Sequence, residues 1–193
     1  MRAVPLNRYL IFFAIAIVGC LADLATKRWM FDRLGFPGGP TWWLWPNRVG
    51  FQTSLNEGAL WGIGQGWVVL FAALSFIAAV GILVWLFRGG AARDLLLTIA
   101  LGCITAGIFG NLYDRLGLPG LIWPPQHQLH PLGGRVHAVR DWILVMVFGH
   151  PWPNFNIADS LLVCGVGLFV WSAWCRSGPS KKTASPSADA NVQ

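Results

Sequence analysis

The apolar stretch at residues 67–87, which contains no charged residue, sets the strongest limit on the fold. A helix that spans a bilayer needs about 20 mostly apolar residues, and this stretch supplies them between Gly66 and Arg88. Only 11% of the 193 residues are charged, whereas soluble domains carry about 25% charged residues. This composition excludes a disordered chain, a coiled coil and a nucleic-acid-binding domain. It favours a membrane protein, even though the net charge of +6 could suggest nucleic acid as a partner.

Three further apolar segments complete a set of four predicted transmembrane helices, at about 9–27, 67–87, 95–113 and 157–175. The predicted fold class is therefore an all-α integral membrane protein with one four-helix domain, residues 1–176. Two long loops, about 28–66 and 114–156, connect the spans. The segment 177–193 is rich in Ser, Ala and Pro and is predicted to be a disordered cytoplasmic tail.

Basic residues predict the orientation of these helices. Four spans place both termini and the short turn at 88–94 on one side of the membrane. The 14 Lys and Arg residues divide evenly between the two sides, but those near the termini and the turn lie in much shorter segments. Because long loops cross a membrane with little regard to charge, we expect cytoplasmic termini and two outer loops. We interpret the aromatic stretch Trp42-Trp43-Leu-Trp45 of the first loop as a lid or a small β-cradle.

The polar and sulfur-containing residues allow two other interpretations. Residues 1–20 imitate a bacterial lipoprotein signal that ends at Cys20, which would make the chain a lipid-anchored structural protein. The three further spans argue against cleavage there. His127 and His130 have a spacing that could bind a metal, but a Pro-rich loop without nearby Cys or carboxylates makes this a weak signal. We therefore predict no metal and no cofactor.

Five of the eight acidic residues fall where the predicted spans meet the outer side. An ionisable group at membrane level is a functional hypothesis by default. Each has a local explanation as well; for instance, Asp23 and Lys27 have the i,i+4 spacing of a simple helical ion pair. Taken together, they predict a cluster at one level of the bilayer. The five are Asp23, Glu57, Asp114, Asp141 and Asp159.

Asp141 and Asp159 suit acid–base chemistry if the fold brings them together. Two carboxylates in a low-dielectric site cannot both ionise comfortably, so one of the two pKa values rises and the pair shares a proton. One member can then activate a water while the other protonates a carbonyl oxygen or a leaving amine. The local alternatives are an ion pair between Asp141 and Arg140, and a helix-dipole contact for Asp159. Gly107, Asn111 and Arg115 recur every four residues and share one helix face, directed at these acids.

The chain resembles the lipoprotein signal peptidases (signal peptidase II) over about residues 9–175. Five motifs carry the resemblance, in the order found in that family: Asp23-x-x-Thr-Lys27, Asn56-x-Gly-Ala-x-Trp61, Gly107-x-x-x-Asn111-x-x-Asp114-Arg115, Val139-x-Asp141-Trp142 and Phe155-Asn156-x-Ala158-Asp159-Ser160. The resemblance implies an aspartic endopeptidase of the bacterial inner membrane. Such an enzyme cuts prolipoproteins just before a diacylglyceryl-modified cysteine at the periplasmic face.

The resemblance also implies roles for individual residues. Asp141 and Asp159 would form the catalytic dyad. The implied partners are the lipidated precursor and membrane lipid, with the chain acting as a monomer and binding no nucleic acid. Substrate binding is implied for Asn56, Gly58, Asn111, Arg115, Asn156 and Ala158. Structural support is implied for Asp23, Lys27, Gly107 and Asp114.

One departure from the family pattern is the long segment 116–138 between the Asp114-Arg115 and Val139-x-Asp141 motifs, where the family has a short connection. This segment is rich in Pro, Gly and His, and its role is left open. A different class of function is also left open: a small four-helix transport or channel subunit with interfacial acids. A transporter would more naturally hold its ionisable groups near the bilayer midplane.

Overall fold

Four long helices form the body of the molecule in the computed structural model, which describes residues 3–59, 63–125 and 133–176. Helix α1 is Leu6–Leu34, α2 is Val68–Leu83 with a π-helical continuation over Val84–Arg88, α3 is Leu95–Arg115 and α4 is Ile157–Arg176. All four are long and apolar enough to cross a membrane. The predicted tail, 177–193, lies outside the described residues.

Helix α3 is the centre of the bundle. The other three helices all contact it, and 61% of its most apolar window is buried, against 6% for α2. Its start is fixed by Asp94, whose side chain accepts a hydrogen bond from the Leu97 backbone N–H at 2.9 Å, as expected of a helix N-cap. Small residues such as Gly107 let α4 approach α3 closely. Residues on α3 are therefore placed to reach both α1 and α4.

A four-stranded antiparallel sheet covers one end of the bundle, in the order β1 (Trp42–Trp45), β2 (Val49–Asn56), β3 (Val139–Val147) and β4 (His150–Pro151). The expected all-α class thus describes the spans but not the whole molecule. The first loop does form a strand pair, but the sheet also takes two strands from the second loop. Strand β3 is buried at its start, where it lies between β2 and the ends of α1 and α3.

The two described parts of the segment 116–138, residues 116–125 and 133–138, pair with each other and are called the arm here. Trp123 N–H donates to Gly134 O at 2.9 Å, and Val136 N–H donates to Leu121 O at 2.8 Å. Trp123 and Val136 are buried together with Ala138 and pack against Phe36 and Leu55. The arm therefore supports the end of β2, one residue before Asn56.

Candidate active site

Asp159 is held by a reciprocal pair of hydrogen bonds at the start of α4. Its backbone N–H donates to Oδ1 of Asn156 at 2.9 Å, and the Asn156 backbone N–H donates to Oδ2 of Asp159 at 3.2 Å. This is the geometry of a capping box, in which a polar residue and an acid three residues later satisfy each other's backbone donors. The motif Asn156-x-x-Asp159 thus fixes the carboxylate at the helix end.

Asn156 also joins this carboxylate to Asp141 on β3. Its amide nitrogen, Nδ2, donates to Oδ1 of Asp141 at 2.6 Å and to Oδ1 of Asn111 at 3.2 Å. Asn111 in turn donates from Nδ2 to Oδ1 of Asp159 at 2.8 Å. Two asparagines from different helix ends therefore bind both acids in one closed hydrogen-bonded group.

The two acids occupy different surroundings. Asp141 is only 2% exposed, whereas Asp159 is half-buried and lines a cavity. Burial raises the pKa of Asp141 well above that of an ordinary carboxyl group, and the nearby charge of Asp159 raises it further. This asymmetry favours a proton on Asp141.

A buried cluster of four charges lies directly behind the acids. The Lys27 ammonium contacts Oδ2 of Asp23 at 2.8 Å and Oδ2 of Asp114 at 3.0 Å, with all three side chains fully buried. Arg140 binds Oδ1 of Asp114 through Nε at 2.9 Å and Nη2 at 2.8 Å. Asp23 also accepts the Ala158 backbone N–H at 2.9 Å. The cluster thereby ties α1, α3, β3 and the start of α4 together.

This cluster corrects one local expectation. Arg140 was considered as an ion-pair partner for Asp141, its neighbour in sequence, but its ion pair is with Asp114. Adjacent residues of a strand point to opposite faces, so Arg140 and Asp141 face different surroundings. A charged residue inside an otherwise apolar strand needs a buried partner, and that signal could have singled out Arg140.

A cavity of about 600 Å³ opens beside Asp159. Asn56, Gly58, Asn111 and Arg115 form part of its wall, and residues of α4 such as Val163 form an apolar part. The lining also includes Phe155 of the fifth motif and the stretch Trp152–Asn154, which the sequence had not indicated. The cavity therefore places polar groups and an apolar wall on either side of a carboxylate.

Arg115 connects the cavity to the first loop. Its Nη2 donates to the Gly58 carbonyl at 3.1 Å, and its guanidinium lies 5.4 Å from the centre of the Phe71 ring. Among the described residues, its buried Nε has no hydrogen-bond partner. Asn56 closes the loop locally, because its Oδ1 accepts the Gly58 N–H at 2.9 Å. Arg115 thus keeps a donor free at the cavity.

Gly107 marks the close approach of α3 to α4. A Cβ added there would lie 2.5 Å from Cγ of Leu162 and would also meet the Ala158 carbonyl oxygen. Ala158 itself is fully buried. The side-chain positions of these two predicted residues therefore provide close packing next to Asp159.

The structure brings the predicted site residues to one end of the bundle, but not into one set of contacts. The two aspartates join Asn111 and Asn156, while Asn56 and Gly58 reach the site through Arg115. Three residues of the sequence hypotheses, Trp61, His127 and His130, lie outside the described residues. Within the described part of the chain, no group of three or more His, Cys, Asp or Glu side chains could hold a metal ion.

Comparison with known proteins identifies relatives that carry the same description. A family model described as signal peptidase (SPase) II matches residues 15–175. A lipoprotein signal peptidase of Rhodopirellula baltica is 49% identical over 168 residues, which are 84% of this chain and 71% of that protein. One from Synechocystis sp. is 28% identical over 173 residues, which are 90% and 93% of the two chains.

Two solved structures, both bacterial membrane enzymes, share the fold. The first superimposes with a TM-score of 0.71 at 25% identity and covers 90% of this chain and 94% of its own. The second has a TM-score of 0.66 at 26% identity and covers 84% and 91%. The structural similarity thus extends over most of the chain.

Proposed function

The chain belongs to the signal peptidase II family, and on that premise we propose that it is an aspartic endopeptidase that cleaves prolipoproteins. The proposed cleavage lies directly before the diacylglyceryl-modified cysteine. The observation that carries the catalytic assignment is the joining of Asp141 and Asp159 through Asn156 beside a cavity with an apolar wall. The transport or channel alternative is set aside, because the family match extends over most of the chain.

In the proposed reaction the two aspartates exchange proton roles. Asp159, which lines the cavity, takes a proton from water as the water oxygen attacks the scissile carbonyl carbon. Asp141, whose raised pKa favours its protonated form, gives its proton to the carbonyl oxygen. The neutral diol then collapses: Asp141 regains a proton from one hydroxyl, Asp159 protonates the amine nitrogen, and the C–N bond breaks. Both side chains return to their starting states.

The remaining cavity residues are proposed to hold the substrate. The free Nε of Arg115 supplies a buried donor for a substrate carbonyl. The Gly58 carbonyl and the Phe71 ring fix the orientation of that guanidinium. The apolar wall around Val163, on the membrane-spanning helix α4, suits the lipid chains of the substrate. We propose that the precursor enters sideways from the bilayer.

The test is cleavage of a lipidated prolipoprotein by the purified chain, followed as a gel shift. Asp141→Asn and Asp159→Asn should each leave a folded protein that does not shorten the substrate. Asp32→Asn is the matched control, because Asp32 is an exposed acid that forms a 3.7 Å ion pair with Arg28. A precursor that carries Ser in place of the lipidated Cys should not be cut.

The outcomes separate the two parts of the proposal. If the unaltered chain fails to cleave the lipidated precursor, the function is wrong. If it cleaves and either Asn variant does so at the same rate, only the dyad is wrong.

We further propose that the chain lies in the bacterial inner membrane with cytoplasmic termini and a periplasmic site. Four spanning-capable helices and the family match support a multi-pass membrane protein, and the distribution of basic residues supports the orientation. Fusion of alkaline phosphatase at Gly120 should give an active reporter, whereas fusion at the C-terminus should not. The opposite pattern would reverse the orientation.

A further inference from the structure

Lys27 makes contacts that an ion pair alone does not explain. Its ammonium is fully buried and touches two carboxylates, of Asp23 and Asp114, but it also donates to Oδ1 of Asn111 at 2.9 Å. An ammonium has three protons and no acceptor. These three contacts, together with a longer one of 3.4 Å to the Gly110 carbonyl, engage all of its donors, and one of them is with the residue that binds Asp159.

This contact fixes which way the Asn111 carboxamide faces. Because Lys27 can only donate, the Asn111 atom next to it must be the oxygen. Nδ2 of Asn156 donates to the same oxygen at 3.2 Å. The amide nitrogen of Asn111 is then left facing Oδ1 of Asp159, at 2.8 Å. The flipped amide would set N–H groups against donors and an oxygen against a carboxylate.

We propose that Lys27 is a positioning residue of the reaction: it orients Asn111 so that an N–H stays directed at Asp159 and favours its ionised form. The inference rests on the proposed function, in which Asp159 removes the water proton. A hydrogen bond donated to a carboxylate stabilises the charged form. Without this hydrogen bond the base required by the proposed reaction is less favoured, so the acid limb of the activity profile moves to higher pH.

Several charged groups surround the dyad and enter any pH dependence. Those that face Asp159 or Asp141 are Lys27 on α1, Asp114 and Arg115 on α3, and, for each carboxylate, the other member of the dyad. A test must therefore separate the charge of Lys27 from its effect on Asn111. The two effects can be separated, because the negative charge of Asp23 can be removed together with the positive charge of Lys27.

The test variant is Lys27→Met combined with Asp23→Asn, which keeps the buried cluster neutral but removes the donor to Asn111. We expect kcat to fall about 10- to 100-fold, the effect of one hydrogen bond to a charged group, with KM unchanged. The acid limb of the pH profile of kcat/KM should move to higher pH. Lys27→Arg should restore much of the activity, and Arg28→Met, next to it on the exposed side of α1, should change neither property.

A second comparison decides whether Lys27 acts through Asn111. In an Asn111→Ala background, adding the neutral double substitution should cause no further loss of kcat and no further shift of the acid limb. A full additional shift would overturn the proposal, because Lys27 would then act on the dyad by another route. Wild-type kinetics in the neutral double variant would overturn it as well.

A third variant covers the case in which the double variant does not fold. Asn111→Asp keeps an acceptor for Lys27 but places an oxygen against Asp159, so the acid limb should again move to higher pH; an unmoved limb would overturn the proposal. Failure of the unaltered chain to cleave would instead refute the proposed function. The two failures are therefore distinguishable.

Discussion

Replacing Gly107 by Ala should disturb catalysis through the packing of two helices, without touching a polar group. The added Cβ would lie 2.5 Å from Cγ of Leu162 on α4, whereas carbon atoms in contact lie about 3.5–4.0 Å apart. Helices α3 and α4 must therefore separate by about 1 Å near Ala158. A misplacement of about 1 Å can cost about 100-fold in rate. We expect that loss in kcat, since Asn111 and Asp159 lie on opposite sides of the widened contact.

The matched control for this prediction is Gly167→Ala on α4. Nothing lies within 4 Å of a Cβ built at Gly167, so this substitution should leave cleavage unchanged. Rates for both variants would be measured by gel shift with a lipidated precursor, and thermal unfolding in micelles would report the packing cost, about 1–3 kcal/mol for an overpacked contact. Normal turnover by Gly107→Ala would show that the spacing of α3 and α4 does not set the dyad geometry.

Three further outcomes are expected. The folded-state pKa of Asp141 is raised, so the wild type loses stability as pH rises through that pKa. Asp141→Asn should therefore unfold at a higher temperature than the wild type near neutral pH. This difference in unfolding temperature should vanish in acid. Equal melting curves at all pH values would contradict this. Arg115→Lys should raise KM for the lipidated precursor, because an ammonium cannot both bind the Gly58 carbonyl and keep a planar donor for substrate. Unchanged kcat and KM would show that Arg115 does not bind the substrate in this way. Trp123→Ala, which empties the core of the 116–138 arm, should cost about 3–5 kcal/mol in thermal unfolding and weaken substrate binding, and an unaffected KM would show that the arm does not support the first loop.

The sequence allowed prediction of the helices and of the acids that meet at one end of them. Long apolar runs report spanning helices directly, and the i,i+4 spacing of Asp23 and Lys27 anticipated a real contact. Four-residue spacing also placed Asn111 and Arg115 on a common helix face. These features depend only on the geometry of a single helix, so residue spacing in the sequence is enough to predict them.

The partners that lie far apart in sequence were harder to predict. Asp114 binds Lys27 from α1 and Arg140 from β3, and nothing in its local sequence points to either. Strand β3 was not among the predicted elements, because it is fixed by pairing with β2, more than 80 residues earlier. The role of the 116–138 segment was likewise decided by tertiary contacts with Phe36 and Leu55.

The neutral charge cluster also bears on how the molecule is assembled in a membrane. Asp23 and Lys27 can enter together as an internally compensated helix. Asp114 arrives later on α3, and the three groups then carry one uncompensated negative charge until Arg140 is added with β3. A buried unpaired charge is strongly unfavourable, so the bundle cannot reach its final packing before the strand is in place. Packing of α1 against α3 therefore depends on Arg140, and the two aspartates meet only after α4 has followed with Asp159.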